Sequence, residues 1–82
     1  PRLPIQERVL GVIDSDGTAV AFPVATTSFA LERGDRVRYG DIEVRLDGSG
    51  LRATVRGQDP GAHEAFWFAW SQFRPGTVIW ER

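Results

Sequence analysis

Apolar and polar positions divide the chain into regions with different periods. Val9-Leu10-Gly11-Val12-Ile13 and Thr18-Ala19-Val20-Ala21-Phe22 flank Asp14-Ser15-Asp16-Gly17, a strong hairpin signal in which Asp16-Gly17 suits a tight turn. Both segments are apolar on both strand faces. That predicts a central hairpin covered on either side, with Gly11, Ala19 and Ala21 small enough to let a helix approach closely. With Asp16-Gly17 as the whole loop, Gly11 would lie opposite Phe22 and the ring would cover the bare backbone.

From Asp35 the pattern becomes strict alternation. Val37 and Tyr39, then Ile42, Val44 and Leu46, then Leu51, Ala53 and Val55 point one way, while Arg36, Arg38, Glu43, Arg45, Arg52, Thr54 and Arg56 point the other. Gly40-Asp41 and Asp47-Gly48-Ser49-Gly50 supply the turns. The expectation is an antiparallel meander with one dry and one wet face.

Near the end, Ala62, Phe66, Ala69, Trp70 and Phe73 recur at helical spacing, which predicts a helix with that side toward the core. Glu64, Ser71 and Gln72 fall opposite, Phe68 comes out among them, and Trp67 sits on the border. Asp59-Pro60-Gly61 marks the start and Arg74-Pro75-Gly76 the stop, with Thr77-Val78-Ile79-Trp80 as a closing strand. Elsewhere, Pro1-Arg2-Leu3-Pro4 reads as an extended lead-in, and Pro23 ends the second strand. Ser28 could cap a single turn through Phe29 to Arg33, closed by Gly34. The fold expected is α+β: one antiparallel sheet of five or six strands, hairpin plus meander, against one aromatic-rich C-terminal helix.

Composition narrows the function classes. A chain of 82 residues makes one domain, residues 1–82, and six of its nine aromatic residues lie between Ala62 and Trp80. Without cysteine there is no disulfide, thiolate metal site or cysteine nucleophile, and the redox compartment stays open. Net charge of −1 argues against a globally basic nucleic-acid binder, although all ten basic residues are Arg. No apolar run is long enough for a membrane span and no signal-peptide pattern is present. A chain beginning at Pro1 and lacking methionine is expected to be processed, trimmed or cut from a longer protein.

Candidate chemistry is sparse. His63 has Glu64 beside it, and on a helix Ser71 would stand about 12 Å up the axis, too far for a Ser-His-carboxylate relay. Asp14-Ser15-Asp16-Gly17 lacks the further ligands of a calcium loop, so no metal or cofactor is expected. On the wet face, Arg36 would oppose Arg45 and Arg45 would oppose Arg52, while Arg38 faces Glu43. An anionic ligand would relieve that repulsion. So would splaying into water, or pairing with turn acids such as Asp35 and Asp47. Trp67 and Phe68 form either a contact surface or a patch covered by Leu3-Pro4-Ile5 or by the stretch Val24 to Leu31.

Glu7-Arg8-Val9-Leu10-Gly11-Val12, with Gly17 to Val24, and the closing run Ala65 to Thr77 resemble two segments of the domain of unknown function 3179 family. Longer members carry cysteines and polar motifs between these segments, where this chain has the arginine-faced meander. The resemblance implies a prokaryotic source, with an extracytoplasmic setting as one option, and an excised or reduced module; it names no substrate.

The function expected is a non-catalytic interaction or accessory module. It would work through Trp67 and Phe68 on a protein partner, a parent chain or a second copy. The alternative is an anionic-ligand or nucleic-acid binder using Arg36, Arg38, Arg45, Arg52 and Arg56, with nucleic acid disfavoured because no aromatic lies on that face.

Overall fold

β1 (Arg8–Ile13) and β2 (Ala19–Pro23) form the expected hairpin. Successive strand side chains point to opposite faces, so Leu10, Val12, Val20 and Phe22 enter one apolar cluster, while Val9, Ile13, Ala19 and Ala21 join another behind the hairpin. This parity is why both strands are apolar throughout. The computed structural model describes residues 2–48 and 50–82; Pro1 of the lead-in and Ser49 of a turn lie outside the described residues.

The hairpin register differs by one residue from expectation. Asp14 N–H donates to the Thr18 carbonyl at 2.9 Å, and Gly17 N–H to the Asp14 carbonyl at 3.1 Å. Gly17 has φ +90°, so the loop is Ser15-Asp16-Gly17, a turn closed by a left-handed glycine. Asp14 Oδ1 favours it by accepting from the Asp16 and Thr18 N–H groups at 3.0 and 2.9 Å. Leu10 therefore faces Phe22 and Gly11 faces Ala21, and it is not Phe22 that covers Gly11.

Directly after Pro23 comes α1 (Val24–Glu32), a nine-residue helix where a single turn capped by Ser28 was expected. It has no side-chain cap; Thr27 and Ala30 are its buried residues. Its end is well satisfied. Gly34, at φ +93°, donates to Leu31 and Asp35 donates to Ala30, both at 3.0 Å, the paired bonds of a Schellman stop.

The meander follows as β3 (Val37–Tyr39), β4 (Ile42–Asp47) and β5 (Gly50–Val55), with Arg38 opposite Glu43 and Arg45 opposite Arg52 as the alternation predicts. Val37, Ile42, Val44 and Ala53 pack on the same cluster as Leu10 and Phe22. The dry face frays at its ends, where Tyr39 and Leu46 are exposed.

The largest correction concerns residues 62–66. His63–Phe66 is a strand, β6, and the helix α2 spans only Trp67–Phe73. β6 pairs antiparallel with β1, Leu10 opposite Glu64 and Gly11 opposite His63. β1 is buried on both faces, so the backbone groups along its outer edge need partners. That requirement overrides a local helical pattern. β7 (Val78–Ile79) then lies parallel to β2 on the other side.

The single sheet of five or six strands is therefore replaced by two sheets, ordered β6-β1-β2-β7 and β3-β4-β5, and the pairing is not wholly antiparallel. Pro23 ends β2 and α1 intervenes, so the meander packs face to face on the hairpin instead of extending it. The α+β class holds. The layers are α2 with the lead-in, then the four-stranded sheet, then the meander with α1 beside it.

Candidate functional site

Two surfaces carry the side chains singled out by the sequence. The first is the outer face of the meander. Glu43 accepts from Arg36 Nη2 at 3.2 Å and from Arg45 Nη2 at 3.4 Å, and these contacts, Arg36 foremost, hold its carboxyl below the usual Glu range. Asp47 accepts from Arg52 Nε at 2.7 Å, which raises the Arg52 guanidinium further above its already high range. Asp41 sits 3.6 Å from Arg56 Nε, and the Ser15 hydroxyl, donating to it, holds its carboxyl below the usual Asp range. Arg38 has no ion pair among the described residues.

Turn acids thus take up part of the charge, Asp47 as expected. Asp35, the other acid named, pairs instead with Arg33 and Arg82, each at 4.0 Å. A concavity of about 430 Å³ remains between the side chains, lined by Arg38, Glu43, Arg45, Arg52, Thr54 and Arg56 among others; Arg36 lies outside it. Arg56 is not on a strand. Val55 and Gln58 exchange backbone hydrogen bonds at 2.8 and 3.0 Å around Arg56-Gly57. Arg56 there has φ +55°, the one positive φ at a non-glycine position among the described residues. Strict alternation through Arg56 concealed this; the following Gly57 was the available turn signal.

The second surface surrounds α2. Trp67 is only 3% exposed and packs with Val9, Ala21 and Trp70, so it is a core side chain and not part of a contact surface. The helix starts at Trp67, which puts Trp67 and Trp70, three residues apart, on its buried side. Phe66 and Phe73, expected in the core, are exposed, Phe73 at 83%. The lead-in does fold over this region: Leu3 joins the Trp67 cluster and the Arg2 guanidinium lies 5.2 Å from the Trp67 ring. Trp67 N–H donates to Glu7 at 2.7 Å and Phe68 N–H to Ile5 at 3.1 Å. Phe68 nonetheless stays 46% exposed and Ile5, which accepts its N–H, 57% exposed.

The remaining candidates are accounted for locally. His63, on β6, meets the Trp70 ring edge-on at 5.9 Å, and the Ser71 hydroxyl donates to the Phe68 carbonyl at 3.3 Å. Asp14 and Asp16 bond each other and nearby N–H groups; that shared bond raises the Asp14 carboxyl and lowers that of Asp16. Among the described residues no three His, Cys, Asp or Glu side chains are placed to hold a metal ion, and no helix is long and apolar enough to cross a membrane. Comparisons with protein-family models, with curated proteins and with solved structures find no match for this chain.

Proposed function

We propose that the chain is a non-catalytic interaction module that holds a protein partner against the apolar side chains beside α2. The observation that carries this reading is the pair Ile5 and Phe68, both about half exposed on backbone that is hydrogen-bonded together. Buried Trp67 and Trp70 anchor the helix that carries Phe68, which lowers the entropy lost on docking. Phe66, two residues before Phe68 and carrying the Arg8 guanidinium 5.6 Å from its ring, lies beside the same region.

Phe68→Ser tests the reading with two measurements. Thermal unfolding should change by no more than about 0.5 kcal/mol, as for a surface position. Retention on a phenyl matrix should fall, and any concentration-dependent dimer seen by sedimentation should dissociate. Loss of the folded state in Phe68→Ser would make Phe68 a core residue and remove the proposed contact.

A further inference from the structure

The meander face supports an inference independent of the aromatic surface. Its concavity, about 430 Å³, falls within the range of small-molecule sites and exceeds what a bare oxyanion would fill. Four guanidiniums against Asp41 and Glu43 leave its lining at a net charge of +2. Arg45 stands directly opposite Arg52, and the Glu43 that could compensate Arg45 is already shared with Arg36. Like charges so placed repel, although Asp47 accepts from Arg52 Nε at 2.7 Å.

Arg56 adds a separate indication. Left-handed backbone strains a long side chain, and Asn or Gly is the ordinary choice in such a turn. Here the strained position carries a guanidinium directed at the same concavity. Strain retained at a non-glycine residue points to a role for its side chain.

We propose that this concavity binds a small phosphate monoester, its dianion held by Arg38, Arg45, Arg52 and Arg56. Guanidinium forks match phosphate oxygens in pairs. Glu43 and the Thr54 hydroxyl stand within the same lining, suited to hydroxyl groups on the organic part of the ester. Among the described residues no aromatic ring lines the site, so bases have nothing to stack on and an oligonucleotide is the poorer fit.

The test is a titration of the arginine Nε–Hε resonances at low salt with inorganic phosphate, glycerol 3-phosphate and a single-stranded oligonucleotide. Saturable shifts are expected, with glycerol 3-phosphate bound more tightly than phosphate. Arg38→Gln, which breaks no ion pair, and Arg45→Gln with Arg52→Gln should each weaken binding about tenfold or more. Arg56→Gly should weaken it without lowering the melting temperature, and Phe68→Ser should leave it unchanged, which separates this site from the protein contact. Absence of saturation, or unaltered binding by Arg45→Gln with Arg52→Gln, overturns the proposal. Tighter, steeply salt-dependent binding of the oligonucleotide overturns it in favour of a nucleic-acid face.

Discussion

Gly11 on β1 lies directly beneath the indole of Trp70 on α2: a Cβ built at Gly11 would overlap Cε3, Cζ3 and Cη2 of that ring. The ring cannot readily move aside. Its Nε1–H donates to Thr77 Oγ1 at 3.0 Å, and Trp70 is buried between the sheet and its own helix. A strand glycine therefore sets how closely the helix approaches.

Gly11→Ala should consequently destabilise the fold by about 1–3 kcal/mol, the range for overpacking a tight interior. Urea unfolding measures it. A variant as stable as the wild type would mean that the indole sits less firmly than described.

Thr77 is buried and its hydroxyl accepts from Trp70 while donating to the Arg74 carbonyl at 2.6 Å. Thr77→Val keeps the shape and leaves the indole N–H without a partner, a loss of about 1–3 kcal/mol. Thr77→Ser retains both bonds and should be the milder change. Equal losses in the two variants would assign the effect to packing alone.

Thr27 on α1 presents the opposite case: its Oγ1 is buried and has no hydrogen-bond partner among the described residues. Thr27→Val removes the desolvated hydroxyl at almost the same volume, and chemical denaturation should record a gain of about 1 kcal/mol. A loss would show that the hydroxyl is satisfied in solution.

The meander acids predict the acid limb of the stability curve. Glu43 and Asp41 have folded-state pKa values lowered by Arg36 and Ser15 respectively. Their contribution is therefore present above the unfolded carboxylate range and is lost as pH falls through the lowered folded values. Asp14, raised through its bond with Asp16, works in the other sense, its contribution fading as pH rises through its raised value. Melting temperature should hold through neutrality and drop in acid, and Glu43→Gln should shrink that drop. An identical acid limb in Glu43→Gln would remove Glu43 from the account.

The central hairpin, the meander registers and the placement of Arg38, Arg45 and Arg52 on one wet face were legible in the sequence. They follow from alternation and turn residues, which act over a few neighbouring positions. Close approach of a helix at Gly11 was legible for the same reason: a glycine and two alanines leave a shallow strip in an otherwise bulky hairpin. The concavity was not, because it depends on how far each guanidinium leans toward Glu43, Asp47 or Asp41.

Residues 62–66 show where local reasoning stops. Ala62-His63-Glu64-Ala65-Phe66 has helical spacing, yet β1 needs a hydrogen-bonding partner along its open edge, and His63–Phe66 supplies it. That pairing moves the helix start to Trp67, which buries Trp67 and turns Phe66 and Phe73 outward. The sequence by itself determined the strands of the hairpin and the meander and which of their side chains share a face. Tertiary structure alone decided how the strands divide into two sheets and which aromatic rings go inside, because backbone hydrogen bonds between distant segments outweigh a few tenths of a kcal/mol per residue of local preference.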